Sequence, residues 1–376
     1  MNSIDRKKLI AGTKRAVIKI GSALLTTEKG MNAPFFTALA AEVKKLSEKK
    51  VEVVIVTSGA IACGMRLLGH TQRPVRLVQK QAAAAMGQPL LMQFYADAFQ
   101  KVDRHVAQVL LTRDDVADRE RFLTGKHLLL ELIAEGAVPV INENDSVAVE
   151  EIQLGDNDQL SALVCHLVEA DLLVMLSTTD GFYEKDPSKH GNSKLIPVVE
   201  NVDDKAFGAA SGTEDPKGTG GMVTKLMAAR QAATHGVPTW LVNGTDPSVL
   251  QKVFAGEEIG TLFLPKAEKI SAKKYWIAYA PKPKGEIAVD DGAAAALARK
   301  GGSLLSTGIT EVRGEFGRGD LVVIVDPSGK PVARGLTGYG AHDLKKIKGV
   351  KSAEIAKVLG HKFEDEVVHR DDLVLV

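Results

Sequence analysis

Carboxylates and carboxamides crowd two short segments of this sequence, Asn142-Glu143-Asn144-Asp145 and Gly155-Asp156-Asn157-Asp158-Gln159. A strand-like run, Ala137 to Ile141, delivers the first, and a helix-like run, Leu160 to Leu167, leaves the second. Open α/β sheets bind their ligands there, outside the carboxyl ends of the strands. Asx turns and helix caps use the same residue types, but the doubled pattern favours a site for a polar substrate. A second chemical feature is Lys19, set inside the apolar run Ala16-Val17-Ile18-Lys19-Ile20. A buried ammonium is costly unless it faces a ligand or a carboxylate; the alternative is a lysine that snorkels at a strand edge. A third is the glycine-rich stretch Phe207 to Gly221, which passes directly into Met222-Val223-Thr224-Lys225-Leu226. Backbone amides, helix dipole and the Lys225 ammonium together make an anion site. A flexible linker has similar composition, but it does not run straight into an amphipathic helix. No G-x-x-x-x-G-K-[ST] loop occurs, and Val223 stands where the third glycine of a dinucleotide fingerprint belongs.

Regular elements must position these groups. The strand Ala16–Ile20 ends at Gly21-Ser22. The strand Val51–Val56 ends at Thr57-Ser58-Gly59-Ala60 and enters a helix that runs through Met65. Both turns are small enough for amides to approach an anion. Helical spacing covers Ala38–Leu46 and Asp118–Glu135, and a helix over Leu77–Tyr95 is interrupted by Gly87 and Pro89. His105–Leu111 and Asp171–Leu176 read as strands, and Thr239–Val242 as the last strand of the sheet. Nearly all-apolar strands alternating with helices predict an α/β fold with an open, mostly parallel sheet sandwiched by helices.

With 376 residues the chain is expected to hold two domains. We place an α/β domain at residues 1–265 and a basic, proline-bracketed linker at 266–283, with Lys266, Lys269, Lys273, Lys274 and Lys282. A small β-rich domain follows at 284–376, with 14 acidic and 14 basic side chains. Its cluster Lys345, Lys346, Lys348 and Lys351 reads as a solvated helix face before it reads as an RNA contact. A formal charge of +1 argues against a general nucleic-acid binder. No run of about 18 apolar residues predicts a membrane span, and no signal peptide is expected, so the chain is placed in the cytoplasm. Cys63 and Cys165 are expected to be buried free thiols, and no cluster has zinc spacing.

Taken together, the motifs resemble the amino-acid kinase family, and within it the bacterial members that act on glutamate. The resemblance rests on Val17 to Ser22, Val56 to Ile61, Leu111-Thr112-Arg113 with Asp118 to Phe122, Val140 to Asp145, Gly155 to Asp158, and Gly218 to Met222 with Thr224-Lys225. The tail, from Gly285-Glu286-Ile287 to Val368-His369-Arg370-Asp371-Asp372, looks like a PUA domain. One departure is Leu176-Ser177-Thr178-Thr179-Asp180, where the family usually has Leu-Thr-Asp.

The resemblance implies ATP-dependent phosphorylation of the side-chain carboxylate of L-glutamate, with magnesium arriving on the nucleotide and no metal-ligating residues assigned. It implies proline as a feedback inhibitor and a homo-oligomer, dimer or tetramer. The residue chemistry agrees. A carboxylate with a pKa near ~4.3 is already an anion, so the reaction needs no general base. It needs two anions held in line while charge is neutralised. Lys19 and Lys225 are the expected catalytic lysines, and Asp158, by its place in the motif, the carboxylate that holds both. Ser58, Asn142, Asp145, Asp156 and Asn157 are expected to bind glutamate, carboxylates meeting its ammonium and amide donors its α-carboxylate. ATP is expected at Lys19, Gly21, Ser22, Ser177, Thr178, Thr219, Gly220, Gly221, Met222, Val223, Thr224 and Lys225. Two alternatives stay open: an acid kinase of the same fold acting on aspartate, N-acetylglutamate or carbamate, and an RNA-binding protein acting through the tail, against which its balanced charge counts.

Overall fold

The computed structural model describes residues 5–28, 30–70, 72, 74–112, 115, 119–147, 157–187, 189–210, 221–265, 274, 277, 283–298 and 302–376. They fall into two compact units, Met1–Lys269 and Ile270–Val376. No helix among the described residues is long and apolar enough to cross a membrane.

The first unit is built on β1 (Arg15–Ile20), β4 (Glu52–Val56), β5 (Val106–Leu111), β6 (Val138–Glu143), β7 (Leu172–Ser177), β8 (Val198–Val199), β9 (Thr239–Asn243) and β10 (Thr261–Phe263). Two-residue strands β2 (Thr26–Thr27) and β3 (Gly30–Met31) form a separate hairpin. The eight run in the order β5-β6-β4-β1-β7-β9-β10-β8. From β5 to β9 every pairing is parallel; β10 turns antiparallel to β9 and carries β8 beside it. Thr239–Val242 is therefore not the last strand. β8 and β10 are too short for a period-2 pattern to be read from sequence.

Side chains alternate across each strand. Ala16, Ile18 and Ile20 of β1, with Val53, Ile55, Val174 and Trp240, face one core, closed by the helices Ala33–Glu48, Leu77–Gln100 and Val249–Phe254. Val17 and Lys19 take the opposite face, where the helices Asn157–Leu167 and Met222–Thr234 pack together over the sheet. The strand lysine thus points into a helix-covered layer.

Gly87 and Pro89 do not interrupt their helix, which runs unbroken from Leu77 to Gln100. A proline inside a helix costs about 3 kcal/mol, and here tight packing on the helix Ala60–Leu67 offsets it. A Cβ at Gly64 would stand 1.7 Å from the Ala83 carbonyl oxygen, and one at Gly87 1.9 Å from that of Ala60. Two bare glycines bring the helices into backbone contact. Cys63 and Cys165 are free and buried; burial raises the Cys63 thiol to about 11 and pushes Cys165 up as well. Phe207 and Gly208 lie in a short helix, Asp204–Ala210, not in the glycine-rich loop expected there. Residues 211–220 of that loop are outside the described residues.

The second unit holds β11 (Gly285–Val289), β12 (Ile309–Gly314), β13 (Leu321–Val325), β14 (Pro331–Leu336) and β15 (Leu373–Leu375), ordered β12-β11-β13-β14-β15. Ile287, Val322, Ile324, Tyr339, Leu344 and Val367 fill its core. Val367 and Val368 do not form a strand; Val368 makes an isolated bridge to Leu304. Lys345 sits on the helix Ala341–Ile347 and meets Glu315 at 3.3 Å.

Candidate active site

Asn157 and Asp158, expected just ahead of a helix that starts at Leu160, form the first turn of the helix Asn157–Leu167. A carboxylate there is favoured by the positive end of the helix dipole. Asp158 is fully buried, and its two oxygens face different lysines: Oδ1 lies 2.5 Å from Lys19 Nζ and Oδ2 3.2 Å from Lys225 Nζ. Both lysines are buried too, at 4% and 7% exposure. Thr224 Oγ1 stands 2.9 Å from the same Asp158 Oδ2. Lys19 comes from β1, Asp158 from one overlying helix, and Thr224 and Lys225 from the first turns of the other. Two ammonium groups on one carboxylate leave an excess of positive charge in a buried place, a natural seat for a phosphate.

A row of neutral polar side chains runs from Asn157 away from the lysines. Asn157 Nδ2 donates to Ser58 Oγ at 2.9 Å and to Asn142 Oδ1 at 3.1 Å. Asn142, 1% exposed at the end of β6, donates through Nδ2 to Gln88 Oε1 at 2.8 Å. Gln88 Nε2 donates to Gln108 Oε1 at 3.0 Å. Asn142 and Glu143 belong to β6 itself, so the strand reaches two residues further than Ile141. Beside this row opens a cleft of about 260 Å³, lined by Ala85, Gln88, Pro89, Gln108, Glu143, Asn144 and Asp145 among others. Below it Tyr95 Oη and Thr57 Oγ1 share a buried hydrogen bond of 2.7 Å, and burial raises the Tyr95 pKa. Gln88 and Gln108 were not singled out from sequence. The only signal was a glutamine on a helix otherwise rich in alanine.

The residues expected at the nucleotide are spread over two strand ends and one helix start. Gly21 follows β1, and its N–H is spent on the Leu176 carbonyl at 3.1 Å, which leaves it no free amide for an anion. Ser22 opens the short helix Ser22–Leu25. Ser177 ends β7, and Thr178 is exposed just beyond. Gly221 is the N-cap of the helix that carries Met222, Val223, Thr224 and Lys225. Asp156, Thr219 and Gly220 lie outside the described residues. Among the described residues no group of three or more His, Cys, Asp or Glu could hold a metal ion by itself.

At their far ends the same two helices meet through His166 and His235, whose rings stack 4.3 Å apart and 17° from parallel. Phe122 packs on His166. Burial holds both imidazoles well below their usual range, His166 at about 4 and His235 at about 3. Lys126 lowers His166 further, and His166 does the same to His235.

Residues 14–243 match the amino acid kinase family, and residues 285–359 match the PUA domain. A glutamate 5-kinase from Geobacter sulfurreducens is 48% identical over 372 residues, 99% of this chain and 100% of that protein. A glutamate 5-kinase from Thermus thermophilus is 48% identical over 362 residues, 96% of this chain and 97% of that protein. Among solved structures, a UMP kinase from Bacillus anthracis superposes with a TM-score of 0.48 at 17% identity, over 68% of this chain and 97% of that one.

Proposed function

The chain belongs to the amino acid kinase family, and from that premise we propose how its residues carry out phosphoryl transfer from ATP to the side-chain carboxylate of L-glutamate. The product is L-glutamyl 5-phosphate, and the reaction is the first step of proline biosynthesis. The observation that carries the reading is the buried Asp158 carboxylate gripping Lys19 and Lys225 at once. Two anions must approach in line, and their mutual repulsion is the main obstacle. Lys19 and Lys225 offset the charge that builds on the transferring oxygens, and Asp158 keeps the two ammonium groups from separating. No side chain needs to remove a proton, because the acceptor carboxylate is ionised at neutral pH.

ATP, when bound, supplies the phosphoryl group. The helix starting at Met222 aims its positive end toward the lysine pair, and we assign the phosphates to this end, with Gly21, Ser22, Ser177, Thr178 and Gly221–Thr224 around them; Thr219 and Gly220 are assigned to ATP as well. Magnesium fits as an ion held mostly by phosphates and water, since the Asp158 carboxylate is already engaged by both lysines. Glutamate is assigned to the cleft beside Asp145, with Ser58 and Asn157 toward the lysines, and Asp156 is assigned to the same ligand. Asn142, whose carboxamide bonds to protein at both ends, holds Asn157 rather than reaching the ligand. Proline shares the ammonium and α-carboxylate of glutamate, so it competes for the same groups as a feedback inhibitor. We assign the protein to the cytoplasm as a homo-oligomer, with a kinase domain at 1–265 and a PUA domain at 284–376 joined by a linker.

Release of ADP in the presence of glutamate, aspartate or N-acetylglutamate tests the reading. Glutamate is expected to be used best by a wide margin, and proline to slow the reaction at low glutamate. Equal or better use of either other acid would move the chain to a different branch of the family.

A further inference from the structure

The carboxamide row has a polarity that one backbone group fixes. The Glu143 N–H can only donate, and it lies 3.0 Å from Asn142 Oδ1. That decides which end of the Asn142 carboxamide is oxygen. Asn142 Nδ2 therefore faces Gln88 and needs an acceptor there, which Gln88 Oε1 supplies at 2.8 Å. Gln88 Nε2 is then turned to Gln108 Oε1 at 3.0 Å. In the other direction, Asn142 Oδ1 accepts from Asn157 Nδ2, and the same nitrogen donates to Ser58 Oγ. Both N–H bonds of Asn157 are thus used. Its Oδ1 is buried and has no hydrogen-bond partner among the described residues. A buried acceptor left unmet costs about 1–3 kcal/mol, so this atom waits for a donor that the ligand brings.

We propose that Gln88 is a positioning residue for substrate selection: by accepting from Asn142 it completes the polarity that the Glu143 N–H sets, and so holds Asn157 with an oxygen rather than an N–H toward the ligand. The protonated α-amino group of an amino acid meets that oxygen; a dicarboxylate without the amino group leaves it unmet. The expectation that amide donors meet the α-carboxylate is thereby reversed at Asn157. The inference rests on the assignment of glutamate to this site. Gln88 suits the task because it is 8% exposed and follows Gly87, whose backbone contact with Ala60 fixes the helix beside the Ser58 turn.

The test compares glutamate with glutarate, its amino-free analogue, by ADP release from the full-length wild type, Gln88→Met and Gln88→Glu. Methionine keeps the length but gives Asn142 no good acceptor; glutamate keeps the acceptor. In Gln88→Met the kcat/KM for glutamate should fall about tenfold, mainly through KM, on the scale of one lost hydrogen bond to a charged group. Glutarate should change by less than about twofold, because it never met the Asn157 oxygen. KM for ATP should hold, and Gln88→Glu should recover most of the glutamate activity. An equal loss on both substrates in Gln88→Met marks a merely structural role and overturns the proposal, as does a Gln88→Glu no better than Gln88→Met. Should Gln88→Met fail to fold, Gln88→Leu, which likewise offers Asn142 no acceptor, is read in its place with the same expected and overturning outcomes. Absence of any glutamate turnover in the wild type is a distinct outcome, which removes the glutamate assignment and this inference with it.

Discussion

At their N-terminal ends the helices Asn157–Leu167 and Met222–Thr234 share a buried charge cluster, Asp158 with Lys225 and, from β1, Lys19. At their C-terminal ends they share two stacked imidazoles, His166 and His235. Both ends are buried, and both are built from titratable side chains. At the charged end two ammonium groups meet one carboxylate, and both lysines stay inside although burial opposes them. At the other end burial wins, and the histidines are held neutral far below their ordinary pKa. A fold keeps an uneven buried charge where a ligand will complete it. Where no ligand comes, it discharges the groups instead.

The charged end can be broken in two ways, of which only one should cost stability. Asp158→Asn leaves two buried ammonium groups facing each other, and should cost about 3–5 kcal/mol of stability as well as turnover. Lys19→Ala or Lys225→Ala instead leaves one lysine on one carboxylate. Turnover should fall by on the order of 100-fold or more, with a thermal midpoint close to that of the wild type. Thermal melts beside steady-state rates check both, and near-normal turnover in either lysine variant would take that lysine out of the mechanism. One step further out, Asp145→Ala should raise KM for glutamate about tenfold, on the scale of one lost charge-assisted contact, and leave KM for ATP nearly unchanged. Equal effects on the two constants would make the Asn144–Ser146 turn a structural feature.

The neutral end predicts a pH effect and no catalytic one. The unfolded chain has histidines near 6.5, whereas the folded pair sits at about 4 and about 3. Between those values the unfolded state binds more protons, so stability falls as pH drops. The full contribution is present above pH 6.5 and is lost progressively toward about pH 4 for His166 and about pH 3 for His235. Lys126 and Glu169 face His166 and push its pKa in opposite directions, the lysine more strongly. His166→Phe keeps a stacked ring and removes one proton site. It should flatten the decline of the thermal midpoint over that range and leave turnover near neutral pH alone. A variant as acid-sensitive as the wild type would place the sensitivity elsewhere. The smallest effect is expected for removal of the tail. Residues 1–282 should melt cooperatively and keep glutamate-dependent ADP release within about twofold, as a domain with its own core does. A folded but inactive fragment would bring the second unit into catalysis.

Much of this arrangement was legible in the sequence because it breaks local rules. Lys19 interrupts an apolar strand, and the Asn/Asp segments stand where strands end, so a ligand was the simplest reason for both. The carboxamide row was not legible. Gln88 sits on a helix and Gln108 on a strand, each in a context where a glutamine reads as surface, and only the sheet order brings them together. Pro89 misled for a related reason. Local propensity predicts a break, and the neighbouring helix, invisible in any single window, prevents it.

That neighbouring helix imposes its own demand. Gly64 and Gly87 touch no assigned ligand group, yet a methyl at either would fall within 2 Å of a backbone oxygen. The space there is filled by main chain, which cannot rotate aside as a side chain could. The Ser58 turn and Gln88 hang from opposite sides of this contact, so any wedge inserted between the helices widens the cleft. In a saturation scan these two glycines should tolerate as little variation as the lysine pair, and a reader of such a map would mistake them for chemistry. Their signature would be a loss of folded protein, not of turnover per folded molecule.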